Sequence, residues 1–272
     1  MKWAHKAMTL IAILMGTLVA GIGSVWLAAV LSFGVLARYT QHMLSLAAGA
    51  LLATAFMHLL PEAFESQASV HDLFATLLVG LVFFFLLDKA ELWHHGHEHH
   101  GGGGDDHKAH GHDHGHHRHE AKSGAWAVLA GDSVHAFGDG ILIASAFMAD
   151  LRLGIVASLA VLVHEVPHHM GDLVVLRQSS NNNRRAAIVK VSLAGAVTAL
   201  GGIIGYALVD QLYEYLPFFL IMASSSFIYV ALADLIPQLQ KRVTPRETAA
   251  QIAWLLIGIG MVTLISGIAH AH

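Results

Sequence analysis

Two stretches of this chain carry side chains that could hold a metal ion. HAFGDG (residues 135–140) sets His135 and Asp139 four apart, and HEVPHHMGD (164–172) offers His164, Glu165, His168, His169 and Asp172. Residues four apart share one face of a helix. His135 therefore goes with Asp139, His164 with His168, and Glu165 with His169. Neutral imidazole supplies nitrogen lone pairs, and two carboxylates cancel the charge of a divalent cation. Without sulfur such a set favours zinc, with iron(II), manganese or cadmium as further candidates. The chain has no cysteine, which excludes thiolate sites, disulfides and thiol redox chemistry.

HEVPH also satisfies HExxH, the zinc-protease pattern in which two histidines hold the metal and the glutamate acts as base. Three features argue against hydrolysis. Pro167 falls where the ligand-bearing helix should be regular. The FGDG that could supply a third ligand precedes HEVPH instead of following it. There are also more ligands than one hydrolytic zinc needs, and a surplus suits an ion that must enter and leave.

Both stretches lie in apolar surroundings. The 272 residues are 55% hydrophobic and 12% charged, against about 25% charged in an average soluble domain. Eight apolar stretches, 8–35, 43–64, 73–93, 125–149, 153–176, 186–209, 216–235 and 250–269, are each long enough for a bilayer core of roughly 30 Å. They are continuous and do not alternate, so they read as helices and not barrel strands. The expected fold is an all-α membrane protein, a bundle of eight transmembrane helices in a single domain over 1–272. The first stretch exceeds a signal-peptide core in length and is expected to be retained. Ionisable groups at bilayer depth are costly and mark function by default. Seven of them on two consecutive helices point to a cation path. Gly138, Gly140 and Gly171 are expected to let backbones approach or hinge beside the ligands. Pro167 is expected to bend its helix and release the carbonyl of Val163.

Residues 94–123 are expected to form a disordered histidine-rich loop, since 12 of the 22 histidines fall within 94–120. Lysine and arginine give the orientation. Twelve of the 15 lie in loops after odd-numbered stretches, which places those loops in the cytosol and both termini outside. A bacterial inner membrane is expected from the lack of an ectodomain. HLLPE (58–62) and DLIPQ (234–238) end the second and seventh stretches, each with a polar residue three before proline. That match suggests an inverted repeat of helices 1–3 and 6–8. No nucleotide loop and no nucleic-acid partner are expected; the partners are metal ions, lipid and a second copy of the chain as a homodimer.

HAFGDGILIASAF followed by HEVPHHMGD resembles the paired signatures of the ZIP (ZRT/IRT-like) metal transporters, in the subfamily whose motif is HExPHExGD. The resemblance extends to AFMHLLPEAF, FFFLLDKAELWHH and FIYVALADLIPQL, so it covers nearly the whole chain. It implies eight helices with both termini outside, in agreement with the charge count, and movement of zinc or similar metals toward the cytosol. It also implies a first metal site on His135, Asp139, His164 and His168. Glu165 would belong to an adjacent second site, with His168 between the two. Ala136 stands where the family has Asn, His169 where the subfamily has Glu, and Gln238 where Glu is frequent. The first two changes each remove an oxygen ligand near the second site. A cation-diffusion exporter shares an HxxxD pattern but typically has six helices. A membrane zinc sensor would not need ligands buried midway through two helices.

Overall fold

The computed structural model describes residues 2–31, 40–96, 117–179, 183–239 and 244–270. Most of the histidine-rich stretch, 97–116, lies outside the described residues; its flanks continue the neighbouring helices. The described chain is helical throughout: α1 (Lys2–Leu18), α2 (Ser24–Leu31), α3 (Thr40–Thr54), α4 (Leu60–Phe64), α5 (Val70–Gly96) and α6 (His117–Ala149). It continues with α7 (Leu151–Ser179), α8 (Arg184–Gln211), α9 (Leu216–Tyr229), α10 (Ile236–Leu239) and α11 (Pro245–His270). Wider π turns join α1 to α2 (Val19–Gly23), α3 to α4 (Ala55–Leu59) and α9 to α10 (Val230–Leu235).

Seven segments among the described residues are long and apolar enough to cross a membrane: Lys6–Leu31, Gln41–Phe64, Val70–Lys89, Leu151–Arg177, Arg184–Gln211, Tyr213–Leu239 and Pro245–Ile265. The remaining long helix, α6, stands outside that set. Its first turns carry Arg118, Glu120 and Lys122, and Asp132, His135 and Asp139 interrupt the apolar run that follows. It is nevertheless central, packing most extensively against α8 and then α7. The α3–α4 and α9–α10 segments and α7 are the most buried, whereas α5 and α11 lie at the periphery. Met8, Trp26, Leu78, Leu193 and Leu264 are more than half exposed. Apolar faces turned outward are what lipid requires.

Two of the π turns precede proline. Ala55–Leu59 is followed by Pro61, and Val230–Leu235 by Pro237. Proline has no N–H and its ring crowds the carbonyl four residues back, so the helix widens just upstream. Local polar contacts fix the ends. Asn183 accepts from the Ala186 N–H at 3.2 Å to start α8, and Thr244 and Glu247 form a reciprocal capping box at α11.

The element that matters most for the site is the shortest connection. α6 ends at Ala149 and α7 begins at Leu151, so Asp150 alone joins them. Its carboxylate caps α7, accepting from the N–H groups of Arg152 (2.8 Å) and Leu153 (3.4 Å). A one-residue turn makes the two helices antiparallel neighbours and places residues equidistant from Asp150 at equal depth.

Glycine holds α6 against α8. A Cβ on Gly140 would run into the Thr198 carbonyl, one on Gly201 into the Phe137 carbonyl, and one on Gly205 to 2.9 Å from the Ile141 Cα. Gly138 and Gly171 have nothing within 4 Å of that position. Of the three glycines expected to let backbones approach or hinge, Gly140 meets a neighbouring backbone, whereas Gly138 and Gly171 meet open space.

Candidate metal site

Asp150 lies fifteen residues after His135 and fifteen before Glu165. The turn therefore brings HAFGD and HEVPH together about 22 Å along each helix, at 1.5 Å per residue. The side chains converge there. His164 Nε2 is 3.1 Å from Glu165 Oε1 and 3.4 Å from Asp139 Oδ2. His135 Nε2 is 3.4 Å from the same Glu165 oxygen and 3.8 Å from Asp139 Oδ2. One ligand atom from each of the four residues lies within 4.8 Å of the other three.

The tautomer of His164 follows from its other nitrogen. Nδ1 is 3.2 Å from the Ala160 carbonyl, which can only accept, so Nδ1 carries the proton. In the neutral ring Nε2 then turns a lone pair toward two carboxylates. His135 Nε2, His164 Nε2, Asp139 Oδ2 and Glu165 Oε1 are all buried atoms with no hydrogen-bond partner. Four lone-pair donors pointed at one another form an arrangement that a cation satisfies. A ring whose second N–H is anchored on a backbone carbonyl is also how metal-binding histidines are held.

Access is one-sided. Asp139, His164 and Glu165 side chains are 3%, 1% and 3% exposed, whereas His135 and His168 are 32% and 33% exposed. His168 lies beside the four-residue cluster, its ring 6.1 Å from those of His135 and His164. Its Nε2 meets Asp234 Oδ2 at 3.1 Å. Gln238 steadies that carboxylate, donating to Asp234 Oδ1 at 2.9 Å. Asp234 was visible in the sequence only as part of a repeat motif; the π turn of Val230–Leu235 carries it to the mouth of the site.

His169 and Asp172 do not join the central four. They meet Asp132 instead, within 4.8 Å of one another. Sequence reasoning missed Asp132. Its position three before His135 on one helix face, and eighteen before Asp150 with His168 and His169 eighteen and nineteen after, was the available signal.

A family model described as ZIP zinc transporter matches residues 4–266. The chain belongs to the ZIP family. The ZIP relatives include zinc transporter ZIP13 of Pongo abelii, 27% identical over 284 residues, covering 95% of this chain and 79% of that protein. Zinc transporter ZIP4 of Homo sapiens is 34% identical over 142 residues, 52% of this chain and 21% of that protein. Zinc transporter ZIP13 of Danio rerio is 30% identical over 155 residues, 53% of this chain and 42% of that protein. The match to the last two thus spans less than half of each relative. As a ZIP protein the chain is a multi-pass, all-α membrane bundle.

Proposed function

We propose that this chain moves zinc, and divalent cations that accept the same ligands, across a membrane toward the cytosol. The cation is held at His135, Asp139, His164 and Glu165, with His168 and Asp234 as the partners it meets on the open face. The observation that carries the reading is the convergence of two imidazole nitrogens and two carboxylate oxygens, without hydrogen-bond partners, inside an apolar bundle. A net ligand charge of −2 balances a divalent ion in a medium that would not tolerate either alone. The printed names of the relatives as zinc transporters favour zinc as cargo.

Several further points belong to this reading. The basic residues favour termini outside and the histidine-rich segment in the cytosol. The inverted repeat draws support from the shared π turn and proline in the α3–α4 and α9–α10 segments. Chemistry of the protease type is disfavoured by the state of Glu165. Its Oε1 is turned toward His135 and His164 and its Oε2 toward His169 at 3.2 Å, so both oxygens face imidazole nitrogens inside the cluster, the placement of a metal ligand and not of a base that activates water.

The test is zinc flux into sealed liposomes with a metal-sensitive dye inside. Saturable flux should fall at least about tenfold in His164→Ala and persist when residues 97–116 are deleted, because even an outer-shell partner of a metal site is worth about tenfold or more. Flux that survives His164→Ala would remove the pathway from this cluster.

A further inference from the structure

His169 is fully buried, and its two nitrogens face different neighbours. Nδ1 is 3.0 Å from Ser24 Oγ. That hydroxyl already donates its only proton to the Gly21 carbonyl at 2.7 Å, so it must accept from His169, and Nδ1 carries the N–H. In the neutral ring Nε2 then presents a lone pair to Glu165 Oε2 at 3.2 Å and Asp132 Oδ1 at 3.5 Å. It forms a well-aligned hydrogen bond with neither, and Asp132 Oδ2 is likewise buried without a partner. The Asp132 side chain is 8% exposed. Asp172 completes the group one helical turn farther along α7.

We propose that Asp132, His169 and Asp172 form a second cation site, separate from the central cluster and joined to it by the two oxygens of Glu165. The ion it takes is a divalent metal of the zinc class. It offers one nitrogen where the central cluster offers two, and Asp132 and Asp172 supply the charge. Ser24 positions the ring from α2, as a partner that fixes the tautomer and leaves the metal-facing nitrogen bare. His169, at the position where the subfamily motif has an acid, trades an oxygen donor for a nitrogen one.

The second site also has a direction. Its residues lie eighteen to twenty-two positions from Asp150, about 27–33 Å along the helices, against about 17–22 Å for the central four. It is therefore one step closer to the end of the bundle from which the chain passes into residues 97–116. Resting on the transport reading, it receives the ion from the central cluster on the way to the cytosol.

The experiment is crystallisation of the full chain with zinc, followed by anomalous difference maps at the zinc edge. Two peaks are expected, one among His135, Asp139, His164 and Glu165 and the other among Asp132, His169 and Asp172. The double variant Asp132→Asn, Asp172→Asn should keep the first peak and lose the second. A wild-type map with the central peak alone would overturn the second site, leaving His169 as an imidazolium held by its carboxylates. A map with neither peak would overturn the central site as well, so the two failures are distinct. In liposomes the double variant should carry about tenfold less zinc flux. Undiminished flux beside a filled second peak would overturn the relay, placing the ion off the path.

Discussion

Glu165 is the residue on which the two clusters depend, because each of its carboxylate oxygens serves a different set of imidazoles. Glu165→Gln keeps the shape and removes the charge. Loss of even an outer-shell partner of a metal site costs about 10–100-fold in affinity, about 1.4–2.8 kcal/mol, and neutralising a ligand should cost at least as much. Zinc stabilises the folded state in proportion to the logarithm of its affinity. The stabilisation by zinc should therefore shrink by that amount in Glu165→Gln, read as a smaller rise in Tm on adding zinc in thermal melts of detergent-purified protein. An undiminished rise would place the stabilising zinc elsewhere. At this scale the residue types were legible, because ionisable side chains in apolar helices announce themselves; the i, i+4 spacing paired His135 with Asp139 but did not foretell that Glu165, and not His168, joins His164 in the central four. Asp132 and Asp234 were not legible, for a physical reason. Each acquires its partners from another segment, and spacing within one helix says nothing about which residue of a neighbour stands opposite.

At the scale of elements, the seating of α6 on α8 holds His135 and Asp139 in front of α7. Two glycines that look alike in the sequence should respond differently. Gly140→Leu would drive a side chain into the Thr198 carbonyl, a backbone obstacle that cannot swing aside. Overpacking of this kind costs about 1–3 kcal/mol or more. Gly138→Ala meets open space and should be neutral or stabilise by roughly 0.5–1 kcal/mol through helix propensity. Melting temperatures of the two variants check the contrast, and zinc flux should fall with Gly140→Leu alone. The sequence marks glycines beside ligands but not the face on which the next helix sits. Pro167 is similar: α7 runs unbroken through it from Leu151 to Ser179. At Pro61 and Pro237 the local consequence was instead a wider turn just upstream.

For the whole molecule, the apolar stretches marked out the bundle because lipid accepts only helices or closed barrels. What composition could not convey was centrality. α6 is the least apolar of the long helices and yet sits in the middle, where α7 and α8 shield its carboxylates from lipid. Sidedness is testable because the chain has no cysteine. Arg152→Cys, beside the α6–α7 turn, should react with a membrane-impermeant maleimide on intact cells. Arg184→Cys, at the start of α8, should react only after permeabilisation. Reaction of both on intact cells would contradict the orientation read from the basic residues.

The π turns have a consequence for how the gene can change. Deleting one residue from a regular helix such as α8 rotates everything beyond it by about 100°, carrying lipid-facing side chains inward. A π turn already holds one residue more than the α-helix needs. Losing one residue from Ala55–Leu59 or Val230–Leu235 would convert it to α-helix and leave the downstream face where it was. The penalty would be confined to the proline that follows, about 3 kcal/mol for its clash with the restored helix. The third π turn, Val19–Gly23, has no proline after it and would absorb the loss without that penalty, so a one-residue deletion could be taken up at three interior points as well as in loops.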